Sequence, residues 1–232
     1  MYRNRSIAVA CFIFSLVFAW GTPLKMQAQD TKNPYPTSMA PLDQYLMDRN
    51  DEIALARSAA PPSIAKDATV MVLGLKGYET AVKGKNEFVC IVHRSWTDKI
   101  DNPEFWNPTR RGPMCLNGAA ARSFLPNTIM RTNLVLAGRS KEQMFEAIKA
   151  AYDKKELPTI ESGAMCYMLS RHGHLSDRDG HWHPHLMFFV PPTEEAAWGA
   201  NNEADRMTVY AVTVGKWSDG TSDSEADSGD GH

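Results

Sequence analysis

The order of its hydrophobic patterns is what most constrains this chain. Short β-branched runs stand in groups, and the segments with helical spacing stand mainly between those groups. Thr69 to Leu75 reads as a strand. Tyr78 to Val82 and Glu87 to Val92 flank Lys83-Gly84-Lys85-Asn86, the pattern of a hairpin turn. Ala164 to Leu169 and Leu186 to Val190 form a second strand pair, joined by a long loop around Asp177, and Thr208 to Val214 alternates as a last strand. Leu42 to Ala59 carries Leu42, Tyr45, Leu46, Ile53 and Ala56 at helical spacing, and Pro61-Pro62 stops it. Pro126 can start a second helix that ends at Gly138. Ser140 caps a third, with Gln143 completing a capping box and Met144, Ala147, Ile148, Ala151 and Tyr152 on one face. Thr193 is placed to cap a short fourth. Strands in groups with helices between them predict an α+β domain: an antiparallel sheet with helices packed on one side. The lack of either standard Gly-rich phosphate loop argues against a βαβ nucleotide fold.

The ends read as removable. Arg3 and Arg5 precede an apolar run from Ile7 to Trp20 broken only by Ser15. That run is shorter than the roughly 20 apolar residues a spanning helix needs. It predicts a signal peptide over residues 1–28, cleaved after Ala28, and a periplasmic or secreted product. Residues 29–41 read as a linker and residues 42–218 as a single domain. From Asp219 to His232 the chain is acidic and lacks large apolar groups, which predicts a disordered acidic tail. The chain carries a net charge of −2, and loss of Arg3, Arg5 and Lys25 makes that −5. No basic field for nucleic acid remains, and nothing suggests membrane binding after cleavage.

Cys90, Cys115 and Cys166 survive cleavage. Three is odd, so at most one internal bridge forms in an oxidising compartment. Cys90–Cys115 is the first choice, because Cys115 lies in a Pro/Gly-rich stretch that a bridge would tether. Thr97 to Pro113 is full of breakers yet holds Phe105 and Trp106 next to Trp96. Rings in such a loop either pack down on the core or wall a pocket.

The chemistry concentrates in one place. Five of the seven histidines fall between His172 and His185, with Asp177 and Asp179 among them. In an extended chain His181, His183 and His185 share a face. The outer two then stand about 13 Å apart, too far for both rings to reach one ion without a bend. The expected metal site therefore uses His183 and His185 with a third ligand from His181, His174, His172, Asp177 or Asp179, and His93 is a remote candidate. Zinc is the expected divalent metal, since it takes imidazole nitrogens in tetrahedral geometry. Asp177 and Asp179 are the candidate catalytic residues, orienting a ligand or acting as a base. The competing readings are a solvated turn and metal-free acid–base chemistry. The H-E-x-x-H motif is absent, and no G-x-S-x-G elbow supports Ser95, Ser170 or Cys166 as a nucleophile. Pro184-His185-Leu186 looks like the ligand strand of lysostaphin-type metallopeptidases, but Met187 stands where those enzymes place a second histidine.

Phe105-Trp106-Asn107-Pro108, Arg111-Gly112-Pro113-Met114-Cys115, Ala121-Arg122-Ser123-Phe124-Leu125-Pro126 and Gly180-His181-Trp182-His183-Pro184-His185-Leu186-Met187-Phe188-Phe189 together resemble a family of uncharacterised exported bacterial proteins. The resemblance covers most of the mature domain and implies an envelope or secreted location. It carries no activity with it. Two functions are therefore expected from the residues: a His-based metal site, in a metal-dependent hydrolase, or a non-enzymatic envelope protein that binds a small ligand or partner. In the second, the loop from Trp96 to Trp106 supplies the contact surface and the histidines are structural.

Overall fold

The β-branched and apolar runs assemble into one eight-stranded sheet, in a computed structural model that describes residues 35–178, 182–192, 200–202 and 206–223. The strands are β1 (Thr69–Gly74), β2 (Gly77–Val82), β3 (Val89–His93), β4 (Gly112–Leu116), β5 (Met165–Met168), β6 (His185–Val190), β7 (Ala200–Asn202) and β8 (Met207–Thr213). Their order is β2-β1-β3-β4-β5-β6-β8-β7. Neighbours are antiparallel except β1 and β3. The helices are α1 (Arg49–Arg57), α2 (Pro62–Ala65), α3 (Gly118–Ser123), α4 (Leu125–Leu136) and α5 (Lys141–Asp153). All described residues belong to the compact unit Asn33–His232. The class is α+β, as the order of patterns predicts. None of the described helices is long and apolar enough to cross a membrane.

The helices flank both faces of the sheet rather than one. Alternate residues of a strand point to opposite faces, and β3 is apolar from Val89 to Val92. Cys90 and Val92 meet the alanines of the α1–α2 region, Ala56, Ala59, Ala60 and Ala65. Ile91 instead joins Met114, Leu116, Phe124 and Leu125, the layer under α3 and α4. Small alanine side chains bring α1 close to the sheet, and a buried ion pair fixes it there. Arg94 Nη2 donates to Glu52 Oε2 at 2.9 Å, and both side chains are almost fully buried. Glu52 also accepts from Leu73 N, while Arg94 donates to the carbonyls of Tyr45 and Val92.

Two local expectations change for identifiable reasons. The helix predicted over Leu42 to Ala59 is a 3-10 turn at Leu42–Gln44 followed by α1, because the Asp48 carboxylate accepts from Asn50 N and Asp51 N and starts a new helix. The predicted hairpin between β2 and β3 does not form. The turn is Leu75-Lys76 between β1 and β2, closed by Gly77 at φ 111°, a conformation that favours glycine. Lys83 to Phe88 then crosses the start of β1, with Lys85 N and Asn86 N donating to Asp67 O, and delivers β3 parallel to β1 on its other edge. A Cβ on Gly84 would lie 2.3 Å from Thr69 N, so only glycine fits that crossing.

Other features match. Ser140 and Gln143 form the capping box of α5, Gly138 at φ 71° follows α4, and β5 pairs with β6 across the long loop. Cys90 and Cys115 are bridged, leaving Cys166 as a buried thiol among the described residues. The reason differs from the one the sequence suggests: Cys115 lies in β4, directly opposite Cys90. Trp96, Phe105 and Trp106 are core, packed with Tyr45, so they do not offer a contact surface. Part of the predicted linker is held as well, since Tyr45 Oη accepts from Ala40 N and donates to Trp106 O. The first residues of the predicted tail are likewise tied down: Asp219 accepts from Thr221, and Lys216 bridges to Ser222. The predicted signal peptide, the Thr193 cap, and Asp179 and His181 lie outside the described residues.

Candidate functional site

The face of the sheet under α3 and α4 is not filled to the end. At the C-terminal end of β3 and the N-terminal end of β6 it leaves a cavity of about 160 Å³. His93 and His185 look into it from separate strands, Met114, Met168 and Met187 floor it, Leu175 and Trp182 wall it, and Asp98 and Arg110 lie at its rim.

His93 is buried and stacks on Phe124, with ring centroids 5.8 Å apart, and its Nε2 lies 3.4 Å from Thr128 Oγ1. Burial, then the positive charges of Arg110, Arg131 and Arg94, push its pKa down to about 3. His93 is therefore neutral at physiological pH. His185 is also buried, and burial lowers its pKa too. Its Nδ1 sits 2.9 Å from His183 O. A carbonyl only accepts, so Nδ1 carries the proton and Nε2 keeps a lone pair. Trp182 meets the His185 ring edge-on at 4.5 Å.

The rim is polar but balanced. Arg110 Nη1 donates to Asp98 Oδ2 at 2.5 Å, and Asn102 and Lys99 N donate to the same carboxylate. Burial works to raise the Asp98 pKa, but Arg110 and these donors outweigh it and hold the carboxyl below its ordinary range. Arg94 is matched by Glu52. Positive charge near the cavity is thus largely paired.

Two other histidines of the cluster, His174 and His183, pair with carboxylates instead. His174 Nε2 bonds Asp177 Oδ1, Asp177 Oδ2 accepts from Asn107 Nδ2 at 2.9 Å, and the same carboxylate accepts from the Tyr35 hydroxyl. Burial works to raise the Asp177 pKa, yet His174, Tyr35 and Asn107 lower it overall. Asp177 accordingly orients His174. Beneath this loop lies Glu104, fully buried, which accepts from Ser176 Oγ, Asp177 N, Arg178 Nε and Asn107 Nδ2. His183 Nδ1 pairs with Asp223 Oδ2 at 2.6 Å. His172 is exposed. Among the described residues, no three His, Cys, Asp or Glu side chains gather so as to hold a metal ion.

The nucleophile candidates are closed off. Cys166 is buried with its thiol pushed up to about 12 by that burial, and Ser95 is also buried. Ser170 Oγ bonds Ser58 Oγ. Of the residues around the cavity, His93 stood in the sequence only as a remote candidate, and Asp98, Arg110 and the three methionines not at all. The one signal pointing to them is positional: His93 ends an apolar strand, and Met168 and Met187 sit at alternate positions of strands flanking the histidine loop. Comparison with protein-family models, with curated proteins and with solved structures finds no match.

Proposed function

We propose that this is a periplasmic or secreted domain that binds a small ligand in the cavity between His93 and His185. The observation that carries the reading is two neutral imidazoles, delivered by strands that are not neighbours, facing one partly apolar space beside Trp182. An apolar wall with a few converging polar groups is the common anatomy of a small-molecule site. The volume of about 160 Å³ compares with the roughly 150 Å³ of an apolar cavity that takes benzene. The ligand class is then a compact molecule with an apolar body and a single hydrogen-bonding head. The cross-strand disulfide supports export, because such bonds persist in oxidising compartments. Titration with phenol and benzoate, followed by calorimetry and by shifts of the His185 ring resonances, tests the reading. Binding of either probe that disappears in Trp182→Ala and His185→Gln is the expected result. Probes that bind none of the three proteins, or bind all three alike, refute it.

A second reading is a zinc-dependent hydrolase. Its support is the pair of carboxylate–histidine contacts, His174–Asp177 and His183–Asp223, which resemble the outer-shell arrangement of metal-bound histidines. They flank residues 179–181, so Asp179 and His181 would complete the set. Metal analysis of untagged protein checks it: zinc-free protein whose melting temperature ignores added zinc would remove this reading.

A further inference from the structure

We propose that the floor of the cavity is a binding site for a soft monovalent metal ion, copper(I), formed by the thioethers of Met114, Met168 and Met187 and by Nε2 of His185. The inference rests on reading the cavity as a ligand site, and adds a metal ion at its methionine side to the compact organic ligand proposed above.

The placement follows from register. Met168 stands directly opposite His185, and Met187 stands opposite Cys166, two residues from Met168 on the same face. Cys115 pairs with Tyr167, and continuing that antiparallel register sets Met114 beside Met168. Adjacent strands lie about 4.8 Å apart and alternate residues of one strand about 7 Å apart, so the four side chains rise from a patch of about 10 by 7 Å. All four border the same cavity. Methionine is long and unbranched, so its sulfur can move across such a distance.

Met in a core usually fills gaps. Here three of them border space they leave unfilled, next to an imidazole whose free nitrogen is already defined. His185 Nδ1 donates to His183 O, the backbone contact that orients histidine ligands in metal sites. Thioether sulfur selects soft ions, copper(I) above all, over zinc or calcium. Two of the three arginines that act on His93 are matched, Arg94 by Glu52 and Arg110 by Asp98, and the third, Arg131, donates to the carbonyls of Trp96 and Asp98. Burying a single positive charge there costs less than burying two.

Anaerobic titration of the untagged full chain with copper(I), in competition with the chromophoric chelator bicinchoninate, tests this. The wild type is expected to take a single copper(I) from the chelator, and X-ray absorption is expected to show mainly sulfur neighbours. The triple variant M114L/M168L/M187L keeps the apolar volume, and such swaps are well tolerated in cores. It is expected to lose copper(I) by more than about 100-fold, beyond what outer-shell groups contribute. Should the triple variant fail to fold, Met168→Leu alone, with silver(I) as a second probe, reads the same loss. Cys166→Ala must retain binding, because its thiol lies on the same face opposite Met187. Copper left with the chelator by the wild type, undiminished uptake by the methionine variants, or loss of uptake in Cys166→Ala overturns the proposal. The phenol and benzoate titrations separate the two claims: if they still report a filled cavity, ligand binding there stands while the copper site falls.

Discussion

At the scale of the residue, His93 illustrates how burial sets chemistry. Its pKa in the fold is about 3, against 6.5 for an ordinary histidine, with burial the largest cause and three arginines adding to it. Above pH 6.5 neither the folded nor the unfolded chain holds the proton, and the neutral ring costs nothing. Between 6.5 and 3 the unfolded chain takes up a proton that the folded chain refuses. Stability therefore falls with pH in that window, by about 1.4 kcal/mol per unit for this group. His185 shifts in the same direction and adds to the slope. Urea melts at pH 7 and pH 4 should show the wild type losing about 3 kcal/mol more than His93→Gln. Equal losses in the two proteins would show that His93 is not the acid-sensitive group. Glu104 is the opposite case, a buried carboxylate held charged by four donors. Burial alone would raise its pKa, yet Ser176, Asp177 N, Asn107 and Arg178 together lower it. Glu104→Gln keeps the shape but offers one acceptor oxygen in place of two. It should cost about 2 kcal/mol and speed amide exchange from Ser176 to Arg178, while leaving exchange in β3 unchanged.

At the scale of the element, the Arg94–Glu52 pair decides where α1 sits. Two charges taken fully out of water are tolerable only together, and each is further satisfied by backbone groups of β1, β3 and the Tyr45 turn. Glu52→Ala alone should destabilise by about 3–5 kcal/mol, because it strands the guanidinium. Glu52→Leu with Arg94→Met should cost less than either change alone, which a double-mutant cycle from chemical denaturation would measure. Legibility in the sequence tracks the range of the forces involved. The capping box of α5 and its apolar face are local, so Ser140, Gln143, Met144 and Ile148 announce them. The alternation of β8 is local too. The break before α1 was also written locally, in Asp48, but the helical spacing of Leu46 and Ile53 bridged it. What cannot be read locally is pairing. Gly77 and Gly84 are both turn signals, and only the crossing over Asp67 decides that the first closes a hairpin while the second packs against the backbone of Asp67 to Thr69. Which face a helix covers is not local either: α1 packs with Cys90 and Val92, while α3 and α4 pack with Ile91 on the opposite face.

At the scale of the whole molecule, the candidate site is made by strands far apart in the chain, and this limits what its sequence discloses. The histidine run is conspicuous, yet His174 and His183 turn to Asp177 and Asp223, and only His185 of the described members faces inward. Its partner His93 comes from β3, some ninety residues earlier, by way of a sheet order no periodicity reveals. The disulfide reports on that order. Cys90 and Cys115 are 25 residues apart in the chain and directly opposed on β3 and β4, beneath α1. Closing a loop of that length restricts the unfolded chain by roughly 3 kcal/mol. Cys166 lies on the other face of the next strand, buried and with its thiol pushed up to about 12 by desolvation, so it is a poor nucleophile while the fold persists. Alkylation with iodoacetamide should then proceed in three regimes. Native protein should label slowly. Unfolded but unreduced protein truncated to residues 29–232, which lacks Cys11, should take up a single label at Cys166. Reduced and unfolded protein should take up labels at Cys90 and Cys115 as well. Cys90→Ala with Cys115→Ala should fold with the stability loss given above and should speed Cys166 labelling in proportion to the rise in the unfolded population. Rapid native labelling of Cys166 in the unreduced wild type would mean that the layer under α3 and α4 opens independently of the rest, and the cavity between His93 and His185 with it.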